Sequence, residues 1–302
     1  MLKDRVAIIT GSGRGIGRAV ALLMAEKGAR VVVNDLGVAG DGTGKDQGPA
    51  QEVVAEIKQA GGQAIANTDS VTSMEGCAGM VKAALAAFGR LDIVVNNAGI
   101  LRDRMFHKMS PEDWQAVIDV HLGGHFNLCR SAINLFREQG YGRIINFTST
   151  SGLVGNLGQT NYGSAKMAVV GLTRLLALET QKHDICVNAV SPFAWTRMTS
   201  SIPVTDEKSA ARVEKIKRMK PENVAPLVVF LASDQAKGIT GQIFGARAGE
   251  LMIFSVPKPL RSVHHKGGWT PEEIAETAMP ALRNCFSPVM ASAEMFPYDP
   301  LD

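Results

Sequence analysis

No stretch of this 302-residue chain approaches the roughly 20 consecutive apolar residues that a membrane-spanning helix needs. The N-terminus carries no signal-peptide pattern, since Met1 to Lys3 leads straight into an apolar run. The last residues, Pro300-Leu301-Asp302, match neither a peroxisomal address nor a lipidation signal. Cysteine is scarce. Cys77, Cys129, Cys186 and Cys285 are scattered with no C-x-x-C pair and read as reduced core or helix residues, so a cytoplasmic protein is expected. A formal charge of +3 is too small to argue for nucleic acid. His121-Leu122-Gly123-Gly124-His125 sets two imidazoles at i and i+4, but it lacks the Glu of H-E-x-x-H and an obvious third ligand, so no metal is expected. His264-His265 reads as loop surface. Ser149 has no His–Asp pattern nearby, so a hydrolase triad is not supported.

What is present is alternation. Apolar strand-like runs recur at 5–10, 30–33, 63–67, 91–95, 143–147 and 185–190, with another near 242–245. Helical stretches lie between them, as at 49–60, 73–88, 111–139 and 160–183. This order implies an α/β fold, a parallel sheet with helices on both faces. No internal repeat is visible beyond it. The tail after Glu250 holds Pro257, Pro259 and a helical-looking 271–283. It is too short and proline-broken for its own core. We therefore divide the chain into one domain, 1–250, and a C-terminal extension, 251–302, packed on the domain or on a neighbouring subunit.

The first strand ends in Gly11, Ser12, Gly13, Arg14, Gly15, Ile16 and Gly17, followed by an apolar-periodic helix. Glycines let the backbone turn tightly and approach a pyrophosphate, whose charge then sits at the helix N-terminus. The spacing is G-x-x-x-G-x-G rather than G-x-G-x-x-G. Asp35 falls about 20 residues later, where an acid binds the ribose 2′-hydroxyl of NAD and repels the 2′-phosphate of NADP. Arg14 pulls the other way, since a basic residue in the glycine turn can contact a 2′-phosphate, and Asp35 could instead be a loop acid capping the next helix, which its position disfavours. We let Asp35 decide for NAD.

Tyr162 and Lys166, in Y-G-S-A-K, project from one helix face. A cation beside a phenol favours the phenolate. A hydroxyl from Ser149, thirteen residues upstream, would hold a carbonyl or alcohol oxygen while Tyr162 exchanges its proton. Alone, Y-x-x-x-K is a weak signal, because such pairs are common on helix surfaces.

Together, T-G-S-G-R-G-I-G (10–17), N-N-A-G (96–99), Ser149 and Y-G-S-A-K resemble the short-chain dehydrogenase/reductase family over about residues 3–250. The resemblance implies a doubly wound Rossmann fold with a seven-stranded parallel sheet in the order 3-2-1-4-5-6-7, and a substrate-covering segment. It implies catalysis by Ser149, Tyr162 and Lys166. It implies cofactor contacts from Gly11, Ser12, Arg14, Gly15, Ile16, Gly17 and Asp35, and from Asp69 and Ser70 near the adenine. Asn97, Ala98 and Gly99 would line the cleft, and Tyr162, Lys166, Pro192 and Thr196 would complete it. The family usually has an Asn 41 residues before the Tyr, whose main-chain carbonyl holds a relay water; here that position is His121, which leaves the carbonyl and puts the side chain's role in question. Ser191-Pro192-Phe193 replaces a common Pro-Gly and makes Phe193 a candidate nicotinamide neighbour.

Within the family, N-N-A-G-I-L-R-D-R (96–104), V-H-L-G-G-H-F (120–126) and G-N-L-G-Q-T-N-Y (155–162) resemble the (3R)-hydroxyacyl-CoA dehydrogenase unit of type-2 peroxisomal multifunctional enzymes and its bacterial single-domain relatives. That implies an acyl-CoA substrate and a homodimer or homotetramer. The basic residues Lys208, Arg212, Lys215, Lys217, Arg218 and Lys220 would bind CoA phosphates, or form a solvated helix face with the acids among them. The glycine-rich stretch 37–48 reads equally as a nucleotide contact or a surface loop. A hydroxysteroid dehydrogenase, an acyl-carrier-protein reductase and a non-catalytic NAD sensor stay open.

Overall fold

The computed structural model describes residues 1–44, 48–196 and 206–299. Its sheet is built from β1 (Val6–Thr10), β2 (Arg30–Asn34), β3 (Gln63–Asn67), β4 (Ile93–Asn96), β5 (Tyr141–Phe147), β6 (Asp184–Phe193), β7 (Ile243–Arg247) and β8 (Glu250–Ile253). Their order is 3-2-1-4-5-6-7-8. The first seven strands are parallel, as expected. The eighth pairs antiparallel with β7, Phe244 opposite Ile253 and Arg247 opposite Glu250, which corrects the seven-stranded expectation. Residues 251–253 of the tail thus continue the sheet across the 250/251 division.

Side-chain alternation on the strands builds the two layers. Ala7, Ile9, Val31, Val33 and Val95 point into one core, with Val20, Val53 and Val228 from the helices α1 (Gly15–Glu26), α2 (Gly48–Gln59) and α9 (Ala225–Leu231). Val6, Ile8, Val32 and Val94 point into the other, with Met80 of α3 (Met74–Phe88) and Leu128 of α5 (Gly124–Gln139). Each fully buried Val or Ile contributes roughly 1.5–3 kcal/mol. Strand order reverses between β1 and β4, and their carboxyl ends frame a crevice.

The 111–139 stretch is not one helix. It is α4 (Pro111–Ile118), a wider π turn at Asp119–Gly123, then α5. Such turns insert an extra residue and recur at functional sites. Next come α6 (Thr150–Leu153), α7 (Thr160–Glu179) and α8 (Glu207–Lys217). The C-terminal stretch returns to the domain: Ser292 N–H donates to the Gly155 carbonyl at 2.9 Å, Phe296 packs edge-on against Phe193 at 5.0 Å, and Lys215 pairs with Asp299 at 2.7 Å.

Candidate active site

The turn after β1 is built around missing Cβ atoms. Gly11 and Gly15 adopt φ of 61° and 55°, where L side chains are strained. A Cβ on Gly17 would stand 2.3 Å from the Gly11 carbonyl, and one on Gly13 would stand 2.6 Å from Pro49 and 2.8 Å from the Asp35 carboxylate. No side chain caps the start of α1, and its first turn carries no acid. Its leading N–H groups and dipole therefore suit an anion brought to the turn.

A cleft of about 450 Å³ opens there. Gly11, Arg14, Gly15 and Ile16 line one side. Asp35, Asp69, Ser70, Asn97, Ala98, Gly99 and Thr196 line the cleft as well. Asp35 is fixed by two backbone donors, Gly13 N–H to Oδ2 and Gly37 N–H to Oδ1, each at 2.8 Å. Asp69 is held by Asn67 Nδ2 at 2.8 Å. Asn97 Nδ2 donates to the Thr10 and Gly11 carbonyls at 2.9 and 3.0 Å, locking the β4 loop to the glycine turn. These residues fit a dinucleotide.

Five expected contacts, Ser12, Gly17, Tyr162, Lys166 and Pro192, do not line the cleft. Ser12 is buried, and its hydroxyl donates to the Ile9 carbonyl at 2.7 Å, so it braces the turn. Gly17 serves by leaving room. Pro192 sits in β6 opposite Ala246. Of the glycine-rich stretch, Val38, Ala39, Gly40 and Gly42 do line the cleft, and Leu101 N–H ties it down through the Gly40 carbonyl at 2.9 Å. The first part of the expected substrate-covering segment 198–220, residues 198–205, lies outside the described residues.

Ser149, Tyr162 and Lys166 adjoin the cleft through Ile100, which lines it and packs against Tyr162. Ser149 follows β5 and caps α6, accepting the Ser151 N–H at 3.1 Å. Thr148 beside it donates to the Lys166 carbonyl at 2.7 Å, tying the strand end to α7. Helices α6 and α7 touch at glycine: a Cβ on Gly163 would stand 2.7 Å from the Ser151 carbonyl. Lys166 is buried and its Nζ donates to the Phe147 carbonyl at 2.7 Å, 5.7 Å from the Tyr162 ring centroid. Tyr162 packs with Ile100, Val117 and Ala165.

The electrostatics differ from the simple reading of a lysine depressing a tyrosine. Burial pushes the Tyr162 phenol up to about 12; the Ser149 hydroxyl opposes this and the Asp103 charge adds to it. Burial also pushes the Lys166 ammonium down to about 7. Desolvation dominates at both groups, so without a further positive charge nearby Tyr162 stays protonated.

His121 sits in the π turn with its ring edge-on to Tyr162, centroids 5.0 Å apart. Gly99 makes room, because a Cβ there would stand 2.3 Å from the His121 ring. Nε2 lies 2.8 Å from the Ile100 carbonyl, and Nδ1 is buried without a hydrogen-bond partner among the described residues. Burial first, then the Lys166 charge, hold this imidazole well below its ordinary pKa, so it is neutral. The side chain is therefore part of the site. Sequence reading also missed Ser151, Gln159 and Asp103, which join Ser149 through hydrogen bonds.

The model for the family described as "Enoyl-(Acyl carrier protein) reductase" matches residues 11–249. The chain belongs to the short-chain dehydrogenase/reductase family. It is 43% identical over 274 residues to the peroxisomal multifunctional enzyme type 2 of Mus musculus, covering 90% of this chain and 36% of that protein. It is 37% identical over 296 residues to the hydroxyacyl-CoA dehydrogenase ChsB1 of Mycobacterium tuberculosis, covering 95% of this chain and 90% of that one. A solved short-chain dehydrogenase of Mycobacterium avium superposes with a TM-score of 0.82 at 39% identity, covering 96% and 98% of the two chains. This short-chain dehydrogenase/reductase is thus an oxidoreductase of CH–OH groups that uses a nicotinamide cofactor. No helix among the described residues is long and apolar enough to cross a membrane.

Proposed function

We propose that the protein interconverts a 3-hydroxyacyl-CoA and its 3-oxoacyl-CoA, with a fatty or steroid side-chain acyl group, using NAD. The observation that carries the chemistry is the Ser149–Tyr162–Lys166 group, Lys166 buried and the other two half-buried, next to the cleft through Ile100, which lines the cleft and packs on Tyr162. The substrate class is supported by the names of the similar hydroxyacyl-CoA dehydrogenase and multifunctional enzyme. NAD is supported by Asp35, whose carboxylate lines the cleft where a 2′-phosphate would meet it.

When bound, the oxidised nicotinamide supplies a hydride acceptor and a positive charge. The chain's own part is the proton. Ser149 holds the substrate oxygen, and Tyr162 as phenolate takes the hydroxyl proton. Lys166 keeps one donor on Phe147 and offers the others to the cofactor ribose. The His121 carbonyl anchors a relay water, while its neutral ring keeps Tyr162 in place.

We read 1–250 as the dehydrogenase unit and 251–302 as an extension packed against it or a neighbour. The protein acts in the cytoplasm as a homodimer or homotetramer; the exposed Leu175 and Leu178 on α7 suit a partner. Initial rates of cofactor reduction on 3-hydroxyacyl-CoA esters, free hydroxysteroids and a hydroxyacyl carrier protein test the reading. Turnover of CoA esters is expected. Turnover confined to free steroids, or to the carrier protein with NADP(H), contradicts it; the matching family's description keeps the second outcome in the test.

A further inference from the structure

Gln159 stands at the N-cap of α7, yet its side chain makes no capping bond. Its Nε2 donates to Asp103 Oδ2 at 2.8 Å, and its Oε1 accepts from Ser151 Oγ at 2.8 Å. Ser151 Oγ in turn accepts from Asn156 Nδ2 at 2.9 Å and from Ser149 Oγ at 3.3 Å.

Chemistry at one end fixes the direction of the whole chain. A carboxylate only accepts, so the amide nitrogen of Gln159 must face Asp103 and the amide oxygen must face Ser151. Ser151 then spends its proton on Gln159 and turns its lone pairs toward Asn156 and Ser149. Ser151 can therefore only accept from Ser149, and does so across 3.3 Å, long for a hydroxyl pair, so the Ser149 oxygen faces no donor there and its proton is not committed. Its position is fixed while its proton is weakly held, ready for an oxygen that comes closer. The backbones carrying these groups form one seam. Arg104 N–H donates to the Gly158 carbonyl at 2.8 Å, Asn161 Nδ2 to the Arg102 carbonyl at 3.0 Å, and Tyr162 N–H to Asn161 Oδ1 at 2.8 Å.

We propose that Asp103, Gln159 and Ser151 form a positioning device that sets the direction in which Ser149 offers its hydroxyl to the substrate oxygen. The proposal rests on the reading of Ser149 as the group that holds that oxygen. Asp103 also places its charge toward Tyr162, so the same carboxylate acts on both substrate-facing groups.

The test is a double-mutant cycle on a secondary-alcohol substrate with NAD. Gln159→Leu should lower kcat about tenfold to a hundredfold, the scale of a misplaced reacting group. The KM for NAD should be unchanged. In a Ser149→Ala background the same change should cost nothing further, because residues acting as a unit are non-additive. Gln159→Glu alone sets two carboxylates together and should lose activity. Adding Asp103→Asn restores a donor–acceptor pair with an acceptor toward Ser151, and should recover most of the loss. NAD binding, followed by fluorescence on every variant, reports folding, and the swapped pair carries the test if Gln159→Leu binds no NAD. Equal fold-losses in both Ser149 backgrounds, or no rescue by the swap, overturn the proposal. A wild type inactive on every alcohol offered overturns the reading of Ser149 and the proposal with it.

Discussion

Tyr162 has to become an anion in a place that disfavours anions. Burial drives its pKa to about 12, so oxidation of an alcohol should speed up as pH rises toward ionisation of the phenol. Tyr162→Phe keeps the ring in its pocket and removes only the proton-carrying oxygen. Its turnover should fall by about 10²–10⁴ or more, with NAD binding retained; near-normal kcat would refute the assignment. Lys166 makes a separate prediction on stability. Its pKa is depressed from 10.5 to about 7 in the folded protein. Between those values the unfolded chain binds the extra proton, so this group makes wild-type stability rise with pH. The cost of burying the charge is fully present below about 7 and is gone above about 10.5. Lys166→Met should remove that slope and lie closest to wild type at high pH; denaturant midpoints across the range check it, and an unchanged slope contradicts the burial account. At Asp35, loss of the carboxylate should raise kcat/KM with NADP relative to NAD. Equal use of NADP by the wild type would shift the decision to Arg14.

The elements were partly legible because their signals are local. The glycine turn, its flanking strand and helix, and the i, i+4 Tyr162–Lys166 pair all lie within short windows of sequence. The π turn was hidden because apolar periodicity runs on through Asp119–Gly123, and one inserted residue leaves no trace in composition. The Gln159–Asp103 bond spans 56 residues, so only the packed fold brings it about. Close helix contact at α6–α7 is also invisible in one dimension, although Gly163 of Y-G-S-A-K marks it. Gly163→Ala would push a Cβ to 2.7 Å from a backbone oxygen that cannot rotate away. Overpacking of this kind costs about 1–3 kcal/mol. The thermal midpoint should drop, and kcat should fall more than NAD affinity because Ser149 moves with α6. A variant as stable and active as wild type would show that the two helices separate freely.

At the scale of the whole molecule, the alternation of strands and helices implies the layers, while the strand order, and with it the crevice between β1 and β4, comes from the family resemblance. The eighth strand is not legible as a strand in the sequence, because four residues with alternating exposure resemble an extended loop until β7 is there to pair with them. The basic cluster near the substrate side changes meaning once partners are seen: Lys215 pairs with Asp299 and Lys217 with Glu214. Exposed pairs of this kind contribute little each and are screened by salt. Neutralising Lys215, Lys217 and Arg218 together should therefore raise KM for a CoA ester only a few-fold, with kcat little changed. An unchanged KM at low salt makes the cluster a solvated face. The most direct test of the account is the initial rate of NADH formation from a 3-hydroxyacyl-CoA by wild type and Tyr162→Phe, with NAD binding measured on both. The account predicts turnover by the wild type and about 10²-fold less or none by the variant at equal NAD occupancy. A wild type that binds NAD but leaves the CoA ester untouched, or a variant that matches it, would contradict the account.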